Sequence, residues 1–177
     1  MNYKHLEQLF KKHKFYDFKW IKARNIVIKQ WVRFKCLFMC NTYGTKSVCP
    51  PNMPTIKECE KFFLEYTDAA ILRVEIETSS DEVSAILHDM DDRLMELEKE
   101  VFFLGYYKVM TFPATICYRC EKCSRNINTC NNKELSRPTP EALGVDLFET
   151  VKKVGYSIEV LSTNNQKMNR YAILMIE

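Results

Sequence analysis

Apolar residues recur along this chain at two periods. Between 81 and 104, Val83, Leu87, Met90, Leu94, Leu97, Val101 and Leu104 step by four and three. That spacing lays one continuous stripe along a helix and predicts the longest helix of the chain, with Ser79-Ser80-Asp81 before it and Gly105 as its stop. A helix over 3–13 sets Leu6, Phe10 and His13 on one side. Thr55, with Glu58 three places on, has the capping-box pattern and opens a helix of about 12 residues. Glu141–Val154 reads as a further helix, with Pro140 at its first position and Gly155 after its end.

Runs with strand character alternate with these helices. They are Phe18–Lys22, Ile26–Phe34, Ala69–Ile76, Tyr106–Phe112 (closed by Pro113), Ser157–Leu161 and Tyr171–Ile176. A polar turn at Asn164-Asn165 would join the last two into a hairpin. Helices crossing between strands predict an α+β (mixed α/β) fold with a mostly parallel or mixed sheet and helices packed on it. One domain over 1–177 is expected, large enough to bury roughly 70% of its unfolded surface and build its own core. Two stretches break the periodic pattern. Residues 36–54 hold Gly44, Pro50, Pro51 and Pro54, which exclude regular structure. Residues 114–139 form the second loop. Each loop is expected to leave the C-terminal end of a strand and enter a helix, which would place both at one edge of the sheet, where open sheets carry their sites.

Both loops are rich in cysteine. Cys117, Cys120 and Cys123 stand two residues apart, and Cys130 follows. Cys36, Cys40 and Cys49 form the upstream group, and Cys49 leads into Pro50-Pro51. Seven of the eight cysteines thus fall into two groups. Two intervening residues let a chain turn and aim both sulfurs inward, so soft thiolates at this spacing can converge on a metal. The four downstream thiolates can fill the external positions of a [4Fe–4S] cluster. The late Cys130 departs from bacterial ferredoxin spacing. Zinc is the alternative, but zinc ribbons set two Cys-x-x-Cys knuckles about 12 or more residues apart, and this chain does not. No histidine lies in either loop, which argues against Rieske and Cys/His zinc sites. The upstream three leave one position of a cubane open. A substrate could take that position, Cys59 could complete the set, or Cys130 could serve it instead; Cys59 also has the reading of a buried structural cysteine. Arg137 is a candidate to pair with a thiolate, a cluster or an anionic ligand. Glu141 and Asp146 read as acids complementing a helix N-terminus.

Charge is uneven. Residues 1–57 carry 12 Lys/Arg against two Asp/Glu, and the remainder 14 against 21. A basic first third can meet an acidic protein or nucleic acid, but no nucleic-acid motif accompanies it, so a solvated basic face is expected. No run reaches the roughly 18 apolar residues of a membrane span, and the N-terminus lacks a signal-peptide core. A cytoplasmic protein with reduced thiols follows, in which eight cysteines mean metal or redox chemistry rather than four disulfides.

The motifs Lys35-Cys36, Cys40, Tyr43-Gly44 and Cys49-Pro50-Pro51, with Cys117-x-x-Cys120-Glu121-Lys122-Cys123 and Cys130, resemble a known family. The likeness continues through Arg137-Pro138-x-Pro140-Glu141-Ala142-x-Gly144-Val145-Asp146 and spans most of the chain. The family is the prokaryotic predicted metal-binding proteins of unknown function, domain of unknown function 2284, typical of anaerobes. The resemblance implies a cysteine-bound metal centre of iron–sulfur type and supplies no reaction. Where that family tends to have Gly-Pro before the first cysteine of the downstream group, this chain has Thr115-Ile116.

Three functions follow as expectations. The first is one or two [4Fe–4S] clusters serving electron transfer to a partner enzyme. The second is an enzyme with an open iron for desulfuration or dehydration. The third is a zinc-stabilised interaction module. No Gly-rich phosphate loop and no Ser/His/Asp set is present.

Overall fold

The computed structural model describes residues 1–77, 80–162 and 167–177. Helix α1, Tyr3–Lys12, is capped by Asn2, whose side chain accepts the His5 N–H at 3.2 Å. Strand β1 is Asp17–Lys22. Helix α2, Gln30–Met39, leads into the first cysteine loop, and α3, Ile56–Leu64, leaves it. The capping box at Thr55 is complete: Thr55 N–H reaches Glu58 Oε2 at 2.8 Å and Glu58 N–H reaches Thr55 Oγ1 at 3.3 Å. Strand β2 is Asp68–Ile76, α4 is Ser80–Phe103 and β3 is Met110–Phe112. After the second cysteine loop come a 3₁₀ turn at Glu141–Leu143, helix α5 at Leu147–Lys152, and strand β4 at Met168–Met175.

The sheet runs β1-β2-β4-β3, and each neighbouring pair is antiparallel. This corrects the expected mostly parallel or mixed sheet. β2 and β3 do run the same way, joined by the α4 crossover, but β4 enters between them, giving a split β-α-β unit. Strand–helix–strand crossovers prompted the parallel reading, and one such crossover is present, but element order alone does not say that a later strand inserts between its two strands. The sheet is covered on both faces. One face, with Ala70, Leu72, Ala172 and Leu174, packs on α1 and the α4 stripe. The other, with Ala69, Ile71, Tyr171 and Ile173, packs on α3 and the α5 region. Met90, Leu94, Leu97 and Val101 are fully buried, as the stripe requires.

Three elements depart from the sequence reading. The strand expected over Ile26–Phe34 is a short extended piece followed by α2. Lys29 N–H reaches Gly144 O (2.8 Å) and Asp146 N–H reaches Val27 O (2.7 Å), so residues 27–29 pair with the distant turn and the helix starts beyond them. Tertiary partners outweigh the β-branched local preference there. The helix expected over Glu141–Val154 is split at Gly144, which has φ +84°; an added Cβ would meet Ile56 at 2.3 Å. Ser157–Leu161 makes no ladder, and is tethered instead by Tyr171, whose hydroxyl donates to Ser157 O at 2.6 Å. The turn at Asn164-Asn165 lies outside the described residues, as does Ser79 before α4.

Candidate metal centre

The first cysteine loop leaves a helix, α2, rather than a strand as expected. α2 carries Cys36 in its last turns, and Cys40 caps its C-terminus. Only Val32 of this helix is buried, so apolar burial alone does not hold it. Arg33 does, donating to Pro54 O (3.1 Å) and Ala142 O (3.0 Å). The loop then closes through Gly44 N–H to Pro50 O (2.9 Å), with Gly44 at φ +69°, a conformation that glycine adopts freely. That closure brings Cys49 back beside Cys36 and Cys40. The three thiols line a hollow of about 320 Å³ whose wall includes Ile116, Glu141 and Arg170. Burial, and then the nearby Cys40, pushes the Cys36 thiol up. Burial, then Cys40, Cys36 and Cys117, pushes Cys49 up to about 11, with Lys46 opposing. Thiolates crowded together repel, so such a set favours the deprotonated form only when a cation sits among them.

The second loop leaves the C-terminal end of β3 and is pinned to the polar side of α4. Tyr118 stacks on His88 with centroids 3.6 Å apart, and its hydroxyl reaches His88 O and Asp92 Oδ1, each at 2.8 Å. Arg119 pairs with Asp92. Arg137, the candidate ligand for a cluster or anion, is committed elsewhere. Its guanidinium pairs with Glu98 and donates to Glu134 O (2.9 Å) and Ser136 O (3.0 Å), so it staples the loop to α4.

Pinned this way, Cys117, Cys120, Cys123 and Cys130 line one small hollow of about 10 Å³ with Lys46, Ser47 and Ser136. Each sulfur has a polar neighbour. Ser47 N–H donates to Cys123 Sγ at 3.3 Å, and the Ser47 hydroxyl lies 3.3 Å from the same sulfur. Asn132 Nδ2 donates to Cys120 Sγ at 3.0 Å. Ser136 Oγ stands between Cys117 Sγ (3.6 Å) and Cys130 Sγ (3.5 Å). Burial opposes ionisation of Cys123, but the Ser47 hydroxyl, the N–H groups of Arg125 and Ser47, and Lys46 outweigh it and lower its thiol below the ordinary value.

Among the described residues no three His, Cys, Asp or Glu side chains stand close enough to grip a single ion. Cys117 and Cys130 share the Ser136 hydroxyl, Cys123 has Ser47 and Cys120 has Asn132. The donor chemistry fits a thiolate-bound centre: sulfur ligands only, with N–H and O–H donors aimed at sulfur.

The family model of the predicted metal-binding proteins, domain of unknown function 2284, matches residues 19–176. The chain belongs to that family. Comparison with curated proteins and with solved structures finds no match. As a predicted metal-binding protein it has two cysteine sets that touch, since Ser47 of the first loop bonds Cys123 of the second and Cys117 lies within electrostatic reach of Cys49.

Cys59 belongs to neither set. It is 2% exposed, in the core with Phe63 and Leu143. Asp146 caps α5, accepting the Glu149 N–H at 3.0 Å. The sequence reading missed Ser47, Asn132 and Ser136 at the sulfurs and Arg170 at the hollow. Ser47 and Ser136 lie inside cysteine loops, which is the one signal available for them; Arg170 sits in a strand far along the chain with none.

Proposed function

We propose that this family member binds iron–sulfur clusters, a [4Fe–4S] cluster at Cys117, Cys120, Cys123 and Cys130 and a second at Cys36, Cys40 and Cys49, and that it passes electrons to or from a partner protein. The observation that carries this reading is that four thiols line one hollow while, among the described residues, no three of them gather on a single point. A tetrahedral zinc holds its sulfurs about 3.8 Å apart, as a Zn–S bond of about 2.3 Å requires. The thiols here share one hollow without gathering on a point, and a polynuclear cluster, with each sulfur on a different iron, suits that spread better. A bound cluster would supply one-electron storage; the protein's own donors to sulfur tune how readily it is reduced.

α2 supports the partner. Trp31, Phe34, Leu37, Phe38 and Met39 are exposed on this one helix, Phe38 by 74% and Met39 by 73%. The same helix carries Cys36 and ends at Cys40. Lys29 and Lys35 flank the apolar patch and are exposed. An exposed apolar patch with a basic rim favours an acidic redox partner docking beside the upstream set. No helix among the described residues is long and apolar enough to cross a membrane. Free thiols on all eight cysteines accord with a reducing compartment, the cytoplasm.

A second reading has its own observation. The upstream hollow is open and supplies three thiols, which would leave one iron free to bind substrate in an enzyme of desulfuration or dehydration type. The test for both is anaerobic purification with iron, sulfide and zinc measured per chain, followed by spin resonance on reduction. About four iron and four sulfide per occupied set, with a reduced signal, are expected. Stoichiometric zinc without sulfide would leave a zinc-stabilised interaction module in their place.

A further inference from the structure

The upstream hollow has a neighbour. A cavity of about 410 Å³ shares Ala114, Glu141 and Arg170 with it as common wall. It lies along β4 where β3 has ended, since β3 pairs only with Ile173, Leu174 and Met175. Neighbouring residues on a strand face opposite ways. Asn169 and Arg170 nevertheless line this one cavity, because it runs along the unpaired edge between the two faces.

Four buried side-chain polar atoms among the described residues lack any hydrogen-bond partner, and two of them, Asn169 Oδ1 and Arg170 Nε, belong to residues that line this cavity. Such groups cost stability and call for an explanation. Asn169 Nδ2 donates to Ser157 O at 3.4 Å, which fixes Oδ1 as the orphan acceptor. The other cations on the wall are engaged: Arg73 with Asp17, and Lys167 with Glu75 at 2.6 Å and Glu77 at 2.7 Å. Arg170 forms no ion pair among the described residues; its field reaches Glu141, whose carboxyl burial raises and Arg170 lowers. Glu75, Glu141 and Glu159 share the wall and oppose a multiply charged anion.

We propose that this cavity binds a small amino or hydroxy acid, its carboxylate held by Arg170 and its amine or hydroxyl donating to Asn169, with one end directed at the Cys36–Cys40–Cys49 hollow. The last part rests on that hollow holding metal; the first two parts do not. A single carboxylate answers one guanidinium. A donor on the same molecule answers the orphan acceptor, and its positive or neutral character suits the acids around it.

The experiment is calorimetry on the anaerobically purified protein with L-serine, L-lactate, acetate and inorganic phosphate as probes. L-Serine or L-lactate should bind more tightly than acetate, which lacks the second group, and phosphate should bind least. Arg170→Gln should weaken binding at least tenfold. Arg170→Lys should recover part of the affinity. Asn169→Ala should erase the advantage over acetate. Binding by Cys40→Ser at parental strength would show that the acid site stands without the upstream metal. No binding of either acid, phosphate binding as tightly as they do, or unchanged binding in Arg170→Gln would overturn the proposal. Protein with full iron and no acid binding sinks this site alone. Iron-free protein that still binds the acid sinks the cluster reading alone.

Discussion

The two cysteine loops solve opposite problems with the same ligand. The downstream loop closes four thiols around about 10 Å³, and each sulfur has a hydroxyl, amide or backbone N–H beside it. The upstream loop leaves three thiols around about 320 Å³, where Cys40 Sγ lies 3.1 Å from Thr42 Oγ1 and, among the described residues, the Cys36 and Cys49 sulfurs make no hydrogen bond. A closed, hydrogen-bonded ring holds charge in a fixed environment and keeps solvent and ligands away. An open, mostly unbonded set can exchange what it holds with an adjoining cavity. The difference teaches that cysteine count alone does not distinguish a closed thiol set from an open one; the groups bonded to sulfur do.

Removing one ligand from each site breaks the comparison most directly. Cys120→Ala takes away a quarter of the closed ring, and the expected outcome is loss of all iron from that loop, with the upstream iron kept. Cys40→Ser, at an exposed position, should release upstream iron alone and leave the reduced signal of the other cluster unchanged. Iron and sulfide counts on the two variants decide it. Equal and complete loss from both would mean one shared centre, and the division into two sites would fall.

The next effect concerns what keeps the closed loop shut. Arg137 and Glu98 pair with side chains only 19% and 14% exposed. Glu98 also accepts the Thr111 N–H at 2.7 Å. Arg137→Ala leaves that carboxylate partly buried without its cation, at a cost of about 3 kcal/mol. Urea unfolding should show the loss, and proteolysis should cut first within 114–139. A variant as stable as the parent would return Arg137 to the role of a ligand residue.

Much of the fold was legible because its signals are local. The α4 stripe, the Thr55–Glu58 box and the runs at β2 and β4 each follow from spacing. The sheet's direction was not, because the helical crossover from β2 to β3 implies parallel neighbours, and nothing local says that β4 inserts between them. α2 was not, because its start is set by hydrogen bonds to Gly144 and Asp146, more than 100 residues away. At the site, the seven cysteines and their division into two sets could be read from spacing. What could not be read is which polar groups sit on each sulfur. Ser47 meets Cys123 across 76 positions of chain, a pairing that no periodicity encodes.

Asp91 on α4 sharpens the picture of the scaffold beneath both loops. It is buried, and its Oδ1 has no partner. Burial raises its carboxyl to about 7, against a hydrogen bond from the Ala114 backbone and the field of Arg119. A raised carboxyl binds its proton more tightly in the folded state than in the unfolded one. Its contribution to stability is therefore full below the unfolded value near 4 and is lost as pH rises to about 7. With solvent access and the opposing bond discounted, about 2 kcal/mol is expected. The urea midpoint should be lower at pH 8 than at pH 5, and Asp91→Asn should flatten that slope. A parent whose midpoint rises over this interval would contradict the burial argument.

The smallest effect tests the hydrogen bonds themselves. Ser47 belongs to the upstream loop but donates to Cys123 of the downstream one; Asn52 also crosses the boundary, to Arg125 O at 2.9 Å, but Ser47 reaches a sulfur. Ser47→Ala keeps the backbone N–H and deletes the hydroxyl. A reduced cluster carries one more negative charge than the oxidised one, and a donor to its sulfur stabilises the reduced form more. Deleting the hydroxyl should therefore lower the downstream potential. A hydrogen bond to a charged group is worth about 1.5–3 kcal/mol and a neutral one about 1 kcal/mol; the difference between oxidation states is a fraction of either. Tens of millivolts follow, since about 59 mV per electron corresponds to a tenfold change. The upstream potential should move less, because its sulfurs do not touch Ser47. A shift confined to the upstream signal would place Ser47, and with it the boundary between the two centres, on the wrong side.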